Sequence, residues 1–163
     1  MNSEVYKRFI EQSADLLDED GLPHMAGRVI GALLVCVPPY RSLDELAEDV
    51  QASKGAISMA TQLMLRLGFI ERVSLPGERR HFYRLRSNFL EDVMSERTQH
   101  ILRHRKLIEM GLELLCDEPV EVKSRLIELQ AYLDFFADEL PGLRQRWQTR
   151  RDELIRRCAE GMR

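Results

Sequence analysis

Two helix starts eleven residues apart, followed at once by a change of hydrophobic period, constrain this chain more than any other feature. Ser42, Leu43, Asp44 and Glu45 spell a capping box: the serine hydroxyl can accept the Glu45 amide while the Glu45 carboxylate reaches back to the Ser42 amide. Leu43, Leu46, Ala47 and Val50 share one face of the short helix that starts there, Gln51 and Ala52 turn a corner, and Ser53 is the N-cap of a second helix, Lys54 to Leu67. At about 100° per residue, Ile57, Ala60, Leu63, Met64 and Leu67 fall on one side of it, and Lys54, Ser58, Thr61 and Gln62 on the other. Met59 and Leu65 receive no role from this pattern. After Gly68 the period becomes extended. Phe69 to Leu75 and Arg80 to Arg86 flank Pro76, Gly77, Glu78 and Arg79, which predicts a β-hairpin with a basic tip.

Proline and glycine punctuate the rest. A first helix is expected from Ser3 to Asp18, with Val5, Phe9, Ile10, Leu16 and Leu17 as its apolar stripe, and a second from Pro23 to Val37, stopped by Pro38 and Pro39. Gly27 and Gly31, four apart, make a smooth strip suited to close helix packing. In the second half, Leu90, Met94, Arg97, Ile101, His104, Ile108, Gly111 and Leu115 repeat with 4,3 spacing, as do Val122, Leu126, Leu129, Leu133, Phe136 and Leu140. Pro141 and Gly142 are expected to separate off a last helix carrying Leu143, Trp147, Leu154, Ile155 and Cys158. Helices this long on a lobe this small leave a stripe exposed, so a second copy is the economical cover, with Leu90, Met94, Ile101, Ile108, Leu126, Leu133 and Phe136 as dimerisation positions.

Composition sets outer bounds. With 163 residues, 44% of them hydrophobic, the chain suffices for one compact domain or two small lobes. Lacking both a run of roughly 18 apolar residues and a basic N-terminus leading into one, it is expected to be neither membrane-inserted nor secreted. Cys36, Cys116 and Cys158 lie far apart, so neither a disulfide framework nor a zinc ribbon is expected, and a reducing cytoplasm fits. The net charge of -3 conceals an asymmetry. Ser53 to Arg86 holds seven basic residues against two acidic ones, or +5, and the remainder carries -8.

A capped helix, a corner, a second capped helix and a basic hairpin make a winged helix-turn-helix, here within a mainly α chain whose long flanking helices dimerise. The division expected is a DNA-binding domain over 21–87 and a helical dimerisation region over 1–20 and 88–163. The chemistry suits double-stranded DNA. A helix N-terminus offers amides and a positive dipole end to phosphate, where Ser53 and Lys54 sit, and Gly55 lets backbone approach the duplex. Ser58, Thr61 and Gln62 are short polar side chains suited to base edges in a major groove, while Arg79, Arg80 and Arg84 form the cationic wing, its tip suited to a narrow minor groove.

These residues resemble the MarR superfamily of bacterial transcriptional regulators, and within it the GbsR-like branch. The resemblance is carried by Gly27, Arg28, Val29, Ile30 and Gly31; by Ser53, Lys54, Gly55, Ala56, Ile57 and Ser58; by Leu67, Gly68, Phe69 and Ile70; and by Pro76, Gly77, Glu78, Arg79 and Tyr83. It spans Gly21 to Leu85 by motif and the remainder by architecture. It implies a homodimer on a palindromic or near-palindromic operator, usually a repressor, sometimes relieved by a small-molecule effector. The wing departs from the aspartate- and arginine-rich wing of many members.

Other readings carry less. His100 and His104, with Glu96 one turn earlier, have a spacing that can bind a metal, but His104 lies on the seam beside Arg97, so no metal is assigned. Cys116 or Cys158 could sense redox state, and Tyr132, Phe135, Phe136 and Trp147 could cage a quaternary ammonium, although helix packing accounts for all of them. No glycine loop, nucleophile elbow or metalloprotease helix is present, so neither an enzyme nor a cofactor is expected. The rival to DNA is a winged helix that binds protein, and the +5 segment with Gly55 argues for DNA.

Overall fold

A computed structural model describes residues 3–162; the side chains at 3, 89, 90, 92–98, 100 and 102 lie outside the described set. The elements are α1 (Ser3–Glu19), α2 (His24–Val35), β1 (Arg41–Ser42), α3 (Leu43–Asp49), α4 (Lys54–Arg66), β2 (Ile70–Val73), β3 (Phe82–Leu85), α5 (Phe89–Leu114) and α6 (Val120–Gly161). They form two compact units, one up to residue 90 and one from 91 onward.

The first unit is built on the α1–α2 pair. A Cβ added to Gly27 would lie 2.7 Å from the Ala14 Cα, and one on Gly31 would lie 2.9 Å from the Ser13 Cβ, so the glycine strip is what lets the two backbones approach. α1 thereby belongs by packing to the first unit, whereas the sequence pattern groups residues 1–20 with the helical remainder. Ile10, Ala14, Val29, Ile30, Leu46, Val50, Ile57, Met64 and Ile70 make the core. α2 stops at Val35, two residues short of the expected end, because Val37 precedes Pro38 and a residue before proline is driven out of the helical region.

The corner between α3 and α4 closes with Ala52 N–H on the Ala47 carbonyl and Gln51 N–H on that of Glu48, which puts Gln51 at φ 52, a left-handed position usually filled by glycine. α4 ends in the same double hydrogen bond at Gly68, φ +75, where glycine takes that conformation without strain. Beyond it lies a sheet of three strands, not a bare hairpin. Its order is β1-β3-β2, antiparallel throughout, with Arg41 opposite Tyr83, Ser42 opposite Phe82 and Glu71 opposite Arg84. Central β3 buries Phe82 and Tyr83 on opposite faces, so an in/out alternation cannot be read along it.

The second unit is an antiparallel helical hairpin. The Arg105 guanidinium meets the Asp134 carboxylate at 2.8 Å, and a Cβ on Gly111 would lie 3.1 Å from the Leu126 side chain. The Lys123 ammonium donates to the Cys116 carbonyl at 2.7 Å, just beyond the end of α5, where a cation complements the helix dipole. α6 runs unbroken for 42 residues through Pro141, which corrects the expected break before a separate last helix. Proline's fixed φ is helical, and what it removes is one amide, leaving the Ala137 carbonyl without its i+4 donor.

Candidate nucleic-acid interface

The candidate interface is assembled from α3, α4 and the wing. Glu45 accepts the Ser42 amide at 2.7 Å and the Ser42 hydroxyl at 2.8 Å, while that hydroxyl accepts the Glu45 amide at 3.3 Å, so the capping box forms in full. The Ser42 amide holds the Glu45 carboxyl below the usual carboxylate range, against the opposing effect of burial and with help from the Ser42 hydroxyl, Arg80 and Arg41. Ser53 caps α4 by accepting the Ala56 amide at 3.2 Å.

On α4, Ile57, Ala60, Thr61 and Met64 are buried, and Lys54, Gly55, Met59, Gln62 and Arg66 are exposed, with Ser58 half-buried. Thr61 is a correction. It is one turn beyond Ile57 and shares its inner face, is only 1% exposed, and donates its hydroxyl to the Ile57 and Ser58 carbonyls at 2.9 and 3.0 Å, so it does not reach an external base edge. Around Gly55 the space is open: an added Cβ would meet nothing nearer than the Ser53 Oγ at 4.0 Å. The Lys54 ammonium rests 2.7 Å from the Asp44 carboxylate, tying α4 to α3 across the corner.

The wing turns on Pro76 and Gly77, with Gly77 at φ +83 and the Glu78 amide on the Leu75 carbonyl at 3.1 Å, a type II geometry that needs glycine there. Its cations are not equivalent. Arg84 pairs with Glu71 at 2.6 Å, and Arg80 pairs with Glu78 at 3.2 Å while its guanidinium lies 4.9 Å above the Phe82 ring. Arg79, at the tip and exposed, has no acidic partner among the described residues.

Sequence patterning gave no hint of the group beneath this surface. Arg41 donates to Asp49 at 3.0 Å and to the carbonyls of Val37, Pro38 and Tyr40 at 2.9 to 3.3 Å, pinning the α2–β1 loop to the end of α3. No spacing rule links a loop arginine to an aspartate eight residues on, so no periodic signal existed. Burial, reinforced by Asp49, pushes the Tyr6 phenol up, and burial likewise pushes the Cys36 thiol up.

In the second unit, Ile108 and Leu133 are each 7% exposed, already covered within their own chain, while Ile101, Leu126 and Phe136 are half-buried. The side chains of Leu90 and Met94 lie outside the described set, as do those of Glu96, Arg97 and His100, whereas His104 is exposed. Cys116 and Cys158 are exposed. Tyr132 and Phe135 pack on Phe136 at 4.7 and 5.4 Å between ring centres yet remain exposed themselves. Among the described residues, no group of three or more histidine, cysteine, aspartate or glutamate side chains could hold a metal, and no helix is long and apolar enough to cross a membrane.

A mostly helical chain with a three-stranded wing beside a capped, outward-facing helix defines a winged-helix DNA-binding transcriptional regulator. A family model described as MmpR5-like MarR family transcriptional regulator matches residues 88–150. The HTH-type transcriptional regulator MmpR5 of Mycobacterium tuberculosis (strain ATCC 25618 / H37Rv) is 34% identical over 145 residues, covering 89% of this chain and 88% of that one. YvaV of Bacillus subtilis (strain 168), named among the HTH-type transcriptional regulators, is 27% identical over 141 residues, covering 78% and 79%. A crystal structure of a transcriptional regulator, 33% identical, superposes over 89% of this chain and 99% of that one with a TM-score of 0.72. The chain belongs to the MmpR5-like MarR family of transcriptional regulators.

Proposed function

We propose that the chain is a cytoplasmic, non-enzymatic homodimer that represses transcription from a palindromic or near-palindromic operator, with α4 in the major groove and the wing tip in the adjacent minor groove. The observation that carries this reading is the outer face of α4, where Gly55, Ser58 and Gln62 present an open, hydrogen-bonding surface that the fold itself does not use. Ser53, Lys54 and Gly55 at the helix start, with Arg79, Arg80 and Arg84 in the wing, supply the phosphate and minor-groove contacts, and Ser58 and Gln62 read bases. Pairing of two copies is supported by the apolar surface of the second unit, which includes Leu107, Met110, Val122, Leu129, Tyr132 and Phe135, all exposed in the single chain. The Gly27–Gly31 and Ser53–Ser58 segments support a GbsR-like member, and a small-molecule effector relieving repression belongs to the same reading.

The test is fluorescence anisotropy with the DNA upstream of the chain's own gene against a scrambled duplex, at low and near-physiological salt. Sequence-dependent binding that survives physiological salt is expected. Gln62→Ala should cost about 1–3 kcal/mol on the operator and nothing on the scrambled duplex. Equal binding to upstream and scrambled DNA, lost with salt, would overturn the reading in favour of a winged helix that meets a protein.

A further inference from the structure

Met59 is 75% exposed in the middle of an otherwise polar helix face. It stands one turn beyond Gly55 and one turn before Gln62, while the apolar residues that pack α4 into the core, Ile57, Ala60 and Met64, lie on the opposite side. The fold therefore gains little from a methionine there. A major groove offers hydrogen-bonding edges and one apolar group, the thymine C5-methyl. A methionine thioether is unbranched, polarizable and long enough to cover such a methyl from the helix surface. Gly55 adds to this, because a position without a side chain one turn earlier lets the helix settle at that end without holding Met59 off the groove floor.

We propose that Met59 is a specificity-determining residue that packs on a thymine C5-methyl in each half-site. The inference rests on α4 being the helix that enters the major groove. It also makes a statement about sequence. Gln62 pairs well with the N6 and N7 of adenine, so Met59 and Gln62, neighbours on one face, select adjacent A·T pairs.

The experiment uses the full chain and a duplex that it selects from a random-sequence pool. Each thymine is replaced singly by deoxyuridine, which removes the C5-methyl and leaves every hydrogen-bonding group in place. One thymine per half-site should prove sensitive, its replacement weakening wild-type binding about fourfold, as expected for one methyl group returned to water. Met59→Ala should bind the unmodified duplex more weakly by at least that factor, show no further loss with deoxyuridine, and keep close to the wild-type melting temperature because the side chain is 75% exposed. Met59→Leu should retain the deoxyuridine sensitivity. If no thymine is sensitive, or if the penalty persists undiminished in Met59→Ala, the proposal is overturned, while a specific loss on Gln62→Ala leaves the groove reading standing. If the pool yields no preferred sequence, the groove reading falls and this inference with it.

Discussion

Gly55 separates what the fold requires from what the ligand requires. A Cβ there would meet only the Ser53 Oγ, at the ordinary van der Waals distance of 4.0 Å, so Gly55→Ala is free of clash and leaves the Ser53 cap on Ala56 intact. Replacing a helical glycine by alanine removes backbone freedom from the unfolded chain, about 0.5–1 kcal/mol of stabilisation, which in a chain of this size raises the melting temperature by about 1–4 °C. If the α4 start lies on the duplex backbone, the added methyl forces the amides away from a phosphate. Losing a charge-assisted hydrogen bond of about 1.5–3 kcal/mol weakens binding roughly 10- to 100-fold. Differential scanning calorimetry and anisotropy on the same preparation read both numbers. A variant that is more stable and binds worse is the expected result. Unchanged binding would place Gly55 away from the duplex, and a lowered melting temperature would refute the open space around it.

The same substitution at Gly27 should have the opposite sign for stability: its Cβ would lie 2.7 Å from backbone of Ala14, so Gly27→Ala should cost about 1–3 kcal/mol in thermal or urea unfolding. Glu45→Gln keeps an acceptor but not the charge and should cost up to about 1 kcal/mol at neutral pH. Because the folded Glu45 carboxyl titrates below its ordinary value of about 4.3, the advantage is complete above that pH and is lost as pH falls through the folded value, so melting curves of the two proteins should converge on acidification. Phe135→Asp, at a position 59% exposed in the single chain, should yield a folded monomer by sedimentation and circular dichroism, whereas Leu133→Asp should unfold the hairpin itself; a Phe135→Asp dimer would move the interface elsewhere. Arg79→Ala should lower the magnitude of the slope of log affinity against log salt by about one, and Arg84→Ala by less because Glu71 already holds the Arg84 guanidinium back from phosphate; equal changes would mean that the wing pairs open fully on DNA.

Much of this was legible because short-range chemistry decided it. The capping box, the Ser53 cap, the Gly27–Gly31 strip and the Gly68 stop each depend on residues within a few positions, or on the size of one side chain. Part of what escaped depended on partners far along the chain, and part on a local arrangement that residue type does not mark. β1 is two residues long, too short for any periodicity, and exists because β3 offers an edge. Gln51 holds a left-handed corner that glycine usually marks, and the corner was legible only from the capped helices on either side. Thr61 looked polar and therefore outward, but its hydroxyl is satisfied by its own helix, which lets it share the inner face with Ile57. In the second half, the 4,3 pattern could not say which apolar residues pair within the chain and which await another copy.

The electrostatics follow from the same distinction between count and placement. From Ile70 to Leu85 there are four arginines and two glutamates, and both glutamates hold an arginine at exposed positions. Such pairs are worth between nothing and about 1 kcal/mol, so a phosphate can take either arginine at little cost in stability. The glutamates do not leave, however, and each stays close to the polyanion as a fixed repulsion that partly cancels the cation it released. The wing therefore attracts backbone charge more weakly than its arginines suggest, and the chain outside Ser53 to Arg86 adds a net -8 in all. On the proposed reading, preference for one sequence then comes from the uncharged residues on the outer face of α4.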